Sequence, residues 1–156
     1  MTILNEMIGY YRTSGQHDKS ILRAEQAIQI AELMGICESH SYGITLINIA
    51  TAFRAAERYD EVENYYIQAY DLISLYDKTS YSMATLYNNR GILYAEMECF
   101  DKAESDLLKA INIMEQLSKM EAEIAISCTN LGNICFRRNA FKKDTDYMKK
   151  AIYLFE

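Results

Sequence analysis

An all-α fold of stacked antiparallel helix pairs is what this sequence predicts, and three observations predict it. Four segments align in register, residues 1–35, 43–77, 84–118 and 125–156, at offsets of 42, 41 and 41 residues. In each, the conserved-type positions fall at i, i+3, i+4 and i+7, the spacing of one helix face. The 156 residues contain no proline, which would delete a backbone donor and clash with the preceding turn of a long helix.

Counting positions from the start of each segment, the first helix carries its apolar stripe at 4, 7, 8 and 11. Position 4 is Leu4, Leu46, Tyr87 and Cys128, and position 8 is Ile8, Ala50, Gly91 and Gly132. Position 11 is Tyr11, Phe53, Tyr94 and Cys135. The second helix repeats the pattern at 20, 24, 27, 28 and 31. Position 27 is alanine throughout (Ala27, Ala69, Ala110 and Ala151), followed by Ile28, Tyr70, Ile111 and Ile152. Small residues at 8 and 27 let helix backbones approach, and the aromatic residues at 11 or 17 fill the space beside them. Asp144 departs from the small residues at position 20.

The turn between the helices is also legible. Asp18, Asp60 and Asp101 share position 18, where an N-cap for the second helix is expected. With Glu63 and Glu104, the latter two would form capping boxes, and Lys142 breaks the pattern in the fourth segment. Position 15 should leave the first helix in a left-handed conformation. Gly15 and Asn139 suit it, whereas Glu57 and Glu98 imply strain or another geometry.

The runs NNRGILYAEMECFDKAESDLLKAI (residues 88–111) and TNLGNICFRRNAFKKDTDYMKKAI (residues 129–152) resemble tetratricopeptide repeats. The usual repeat has about 34 residues and ends near a proline. The longer, proline-free spacing here resembles the variety found in kinesin light chains and bacterial peptide-sensing regulators. The resemblance implies a right-handed superhelical solenoid of about four repeats, forming a single domain over residues 1–156. It also implies that the extra connector residues lengthen both helices and deepen the groove.

In such a stack each repeat buries its faces only against its neighbours, so an end needs a polar cap. Leu154 and Phe155 would border an uncovered end. The chain is therefore expected to be a piece of a longer protein, or to form a homo-oligomer through that C-terminal face.

The resemblance implies a protein- or peptide-binding scaffold whose first helices line a concave groove at positions 2, 5, 9, 12 and 13. The candidate peptide-binding residues are Asn5, Arg12, Ile47, Thr51, Arg54, Asn88, Ile92, Asn133, Phe136 and Arg137. Amides can both donate to and accept from a peptide backbone. Arginines hold carboxylates bidentately, and Ile47, Ile92 and Phe136 offer apolar pockets. The expected ligand carries acidic and apolar side chains. Asn48, Asn89 and Asn130, recurring at position 6, are expected to serve inter-repeat packing. The carboxylate clamp for chaperone tails is not expected, because Asn5 and Ile47 stand where it needs lysine. The alternatives are an oligomerisation or assembly module, or a regulatory arm of a larger enzyme or transcription regulator.

Chemistry is not expected, nor a cofactor or metal. The net charge of -6 argues against nucleic acid, whose phosphates require concentrated positive charge. Arg137, Arg138, Lys142, Lys143, Lys149 and Lys150 are interleaved with Asp144 and Asp146, as on a solvated face. Cys37, Cys99, Cys128 and Cys135 are dispersed, with no CxxC, and read as free thiols of a cytoplasmic protein. His17 stands at an aromatic position and His40 in a connector expected to be solvated. No stretch reaches the roughly 18–20 apolar residues of a membrane span, so no membrane contact is expected.

Overall fold

The computed structural model describes residues 1–138 and 141–155, with backbone alone for 141–145 and 155. The described residues form eight helices: α1 (Thr2–Thr13), α2 (His17–Met34), α3 (His40–Ala55), α4 (Tyr59–Ser74), α5 (Tyr81–Glu96), α6 (Phe100–Met114), α7 (Glu121–Arg137) and α8 (Phe141–Phe155). They fall into two compact units, Met1–Lys78 and Thr79–Glu156. Each unit holds two antiparallel pairs. In the first, α3 packs on α4 and against α1 and α2; in the second, α7 packs on α8 and against α5 and α6.

The core follows the repeat. All four alanines at position 27 are buried, as are Ile8, Ala50, Gly91 and Gly132 at position 8. The reason for a small residue is plain at Gly91. A Cβ built there would lie 2.9 Å from Leu107 Cγ, inside the contact limit between α5 and α6. Around these close approaches, Leu46, Ile49, Phe53, Tyr66 and Ile73 fill the first unit, and Leu86, Leu93, Leu107 and Leu131 the second.

The turn inside the first three pairs adopts one geometry whatever its residue. The position-16 amide donates to the position-11 carbonyl three times: Gln16 to Tyr11 at 2.8 Å, Arg58 to Phe53 at 3.0 Å and Cys99 to Tyr94 at 2.8 Å. The residue between is left-handed, with φ of 72° at Gly15, 58° at Glu57 and 59° at Glu98. Of the two outcomes expected for the glutamates, the structure takes strain over a different turn.

The caps differ from expectation. The second helices begin at His17, Tyr59 and Phe100, which puts Asp18, Asp60 and Asp101 inside the first turn, where none makes a side-chain cap bond. Asp60 and Asp101 are thus not at the N-cap positions that the two capping boxes require; Arg58 and Cys99 are. The wound position-11 to position-16 turn starts each helix one residue early, and the acids act on the helix dipole instead. Among the described residues the side-chain caps formed are Ser39 and Ser80, accepting from Tyr42 N at 3.1 Å and Met83 N at 3.3 Å. His40 lies in the first turn of α3, half-buried, its ring edge-on to Tyr76 at 5.2 Å. It is not a solvated connector residue. The expectations for Asn139, Phe141, Lys142, Lys143, Asp144 and Phe155 lie outside the described side chains.

Candidate functional site

Five candidate residues lie in the first unit and five in the second, and the two sets are placed differently. In the first unit, Ile47 and Thr51 are buried, so the exposed apolar pocket expected at Ile47 is not formed. The Thr51 hydroxyl turns back to the Ile47 carbonyl at 2.7 Å and lies 3.3 Å from the Tyr66 hydroxyl. Both face the packing of α3, whose apolar content leaves few side chains outside the core. Asn5 Nδ2 donates to Thr45 Oγ1 at 3.1 Å, an inter-repeat bond. Its Oδ1 is buried with no hydrogen-bond partner.

Arg12 is half-buried. Burial first, then the nearby Arg54 charge, pull its guanidinium below the usual arginine range, and Tyr66 opposes them. An incoming carboxylate would relieve both causes by offsetting the lost hydration and the like charge.

In the second unit the candidates converge. Ile92, Asn133 and Arg137 line one cleft of ≈150 Å³ with Ala95, Glu96, Leu107, Asn130 and Ile134. Asn130 Nδ2 is buried there without a hydrogen-bond partner. A buried amide donor left unpaired costs free energy comparable to a lost hydrogen bond. Asn130, at position 6, thus lines the cleft with its Nδ2 unbonded to the neighbouring repeat. Asn88 does the reverse, its Oδ1 accepting from Ser127 Oγ at 2.9 Å. A second cleft, ≈180 Å³, runs along Tyr81, Thr85, Asn88, Met114, Glu123 and Ile126. Phe136 is exposed on α7.

Arg137 is already engaged. Its Nη1 donates to the Ala95 carbonyl at 2.7 Å, its Nη2 to Glu98 at 3.2 Å, and its guanidinium lies 5.0 Å from the Phe100 ring centroid. The Ala95 carbonyl belongs to the last turn of α5 and also accepts from Glu98 N at 3.2 Å. The role of Arg137 is thus first to cap α5 and close one end of the cleft. The basic run continues this way: Arg138 pairs with Asp101 at 2.9 Å and Glu104 at 3.1 Å, and Lys150 with Glu115 at 2.7 Å.

Sequence reasoning missed an ion pair. Arg90 Nε and Nη2 donate to the two oxygens of Asp106 at 2.6 and 3.1 Å, and Lys109 lies 3.5 Å away. Asp106 is buried. Burial lowers the Arg90 pKa, but the Asp106 bonds and charge outweigh it and leave the value raised. The signal was an arginine at position 7, on the buried stripe, with an aspartate 16 residues later on the facing helix. The pair lines a ≈390 Å³ hollow with Tyr94, Asp101, Lys102, Ser105 and Lys109, and its arginine is committed to Asp106.

Among the described residues no group of three or more histidine, cysteine, aspartate or glutamate side chains is placed to hold a metal ion. No helix there is long and apolar enough to cross a membrane. The four cysteines form no disulfide, and Cys128 and Cys135 are buried. Burial pushes the Cys128 thiol up, with Lys150 opposing and Glu115 adding to it.

Residues 1–73 match a family model described as tetratricopeptide repeat. No curated protein matches the chain. Among solved structures, the crystal structure of BtubC (BKLC) from P. vanneervenii is similar, with 25% sequence identity and a TM-score of 0.86. The likeness covers 98% of this chain and 62% of that one, so this chain spans less than two thirds of the length of BtubC. The fold is therefore the all-α helical-repeat solenoid the sequence predicted.

Proposed function

From a chain whose residues 1–73 are tetratricopeptide repeats, repeats that generally mediate protein–protein interaction without catalysis, we propose a scaffold that binds an extended peptide along its first helices. The observation that carries this is the α5–α7 cleft. Three of the candidate residues meet there around a buried, unpaired amide donor. A ligand backbone carbonyl accepts from Asn130 Nδ2, an apolar ligand side chain lies on Ile92 and Ile134, and Asn133 reaches the peptide from the exposed rim. In the first unit, taken by itself, the half-buried Arg12 suits an acidic ligand side chain. Reduced, dispersed thiols fit a cytoplasmic setting.

The test is a peptide array of acidic and apolar sequences, followed by titration calorimetry on the tightest binder. Ile92→Lys should weaken that binding at least tenfold without lowering the melting temperature by more than a few degrees. Binding that survives Ile92→Lys and Asn130→Leu unchanged overturns the reading.

A further inference from the structure

On a chain of net charge -6, the hollow of the α5–α6 pair gathers cations. Along α6, Lys102, Ser105, Asp106 and Lys109 follow the i, i+3, i+4, i+7 spacing of one helix face, and Arg90 reaches them from α5. All five line the ≈390 Å³ hollow, and none lines the α5–α7 cleft. Two tyrosine rings of α5 hold the cations close. Lys102 Nζ lies 4.9 Å from the Tyr94 ring centroid and Lys109 Nζ 5.3 Å from that of Tyr87. The Arg90 guanidinium lies 5.5 Å from Tyr87 and 5.9 Å from Tyr94. Ring faces attract each cation, but three like charges so gathered repel one another.

The carboxylates of the hollow answer only part of this charge. Asp101 pairs with Arg138 at 2.9 Å. Asp106 accepts from Arg90 Nε and Nη2, and Lys109 stands 3.5 Å from it. Among the described residues, Arg90 Nη1 and the Ser105 hydroxyl make no hydrogen bond. Asp106 therefore braces a guanidinium whose side chain is 15% exposed and leaves one of its nitrogens without an acceptor. A fork fixed in this way loses little freedom on binding. We propose that the hollow binds a phosphate monoester dianion. Its three acceptor oxygens and charge of about two match Arg90 Nη1, the Ser105 hydroxyl and the ammonium groups of Lys102 and Lys109. A carboxylate brings one charge and two oxygens, so it leaves a donor unanswered and gains less against the repulsion of Asp101 and Asp106.

The experiment is an NMR titration of the whole chain with inorganic phosphate. It is read at the Arg90 Nε–H signal, which the Asp106 bond shields from exchange, and at the Ser105 backbone amide. Both should shift saturably with phosphate and not with acetate at equal ionic strength. Lys102→Gln combined with Lys109→Gln, both at exposed positions, should weaken phosphate binding by about tenfold or more. Ser105→Ala, which removes only the hydroxyl, should weaken it severalfold, with circular dichroism melts showing each variant folded. No saturable shift, an equal shift with acetate, or undiminished binding by the folded variants overturns the proposal. Two further probes separate the sources of the phosphate: O-phosphoserine and a blocked glycine–phosphoserine–glycine peptide. A peptide that binds tighter than O-phosphoserine assigns the site to a phosphorylated chain, and one that binds no tighter assigns it to small phosphate esters. The peptide reading of the α5–α7 cleft is untouched by these outcomes, since the two sites share no lining residue.

Discussion

The Asn5 side-chain amide donates to the Thr45 hydroxyl across 3.1 Å, tying α1 to α3 from position 5 of one repeat to position 3 of the next. The second unit repeats the link with its polarity reversed, Ser127 donating to Asn88 at 2.9 Å. The same pair of positions is thus joined by a hydrogen bond within each unit, with either residue as the donor. Ser127→Ala should cost about 1 kcal/mol, the net value of such a bond. Chemical denaturation of Ser127→Ala, Asn88→Ala and the double variant should show the double change costing less than the sum.

The left-handed glutamates predict a gain. An L-residue at positive φ costs about 1–2 kcal/mol, partly offset because glycine loses more freedom on folding. Glu57→Gly should raise stability by about 0.5–1 kcal/mol in a denaturant titration. Glu98→Gly should gain less, because it also removes the exposed contact to Arg137.

Two glycines should respond oppositely to alanine. Gly91→Ala drives a methyl to 2.9 Å from Leu107 Cγ and should cost about 1–3 kcal/mol by overpacking. Gly9, inside α1, has nothing within 4 Å of a built Cβ. Gly9→Ala should stabilise by about 0.5–1 kcal/mol through helix propensity alone. Thermal melts of the two variants separate these effects.

The Arg90–Asp106 pair predicts an asymmetry. Asp106→Asn leaves a largely buried guanidinium without its counter-charge and should cost about 3 kcal/mol. Replacing both partners, Arg90→Met with Asp106→Leu, should recover most of that loss, since hydrocarbon of similar volume substitutes for a buried pair. Urea midpoints of the single and double variants measure the difference.

The helix pairs were legible because nesting leaves a mark at fixed intervals: Ala27, Ala69, Ala110 and Ala151 occupy the same crossing in every repeat. The left-handed position was legible from Gly15 and extended correctly to Glu57 and Glu98 as strain. The helix starts were not, because Asp18, Asp60 and Asp101 are good caps by residue type, while the preceding turn already fixes the start at the aromatic residue. Within the site, periodicity put Ile47 and Thr51 on the outward helix face, where the structure buries them, and it could not supply partners. Asn88, expected on that face, bonds the next repeat, while Asn130, expected to serve packing, has its Nδ2 unpaired. Only the residue opposite decides, and it lies some forty positions away. Arg90 and Asp106 escaped for the same reason.

The most direct test of the scaffold reading is the side-chain amide NMR signal of Asn130 during titration with an array-selected peptide. The account predicts a saturable shift of that signal, accompanied by Ile92 and Asn133 and absent from Arg90 and Lys109. Saturable peptide binding that leaves the Asn130 amide unmoved, or that maps instead to the Arg90–Lys109 hollow, would contradict it.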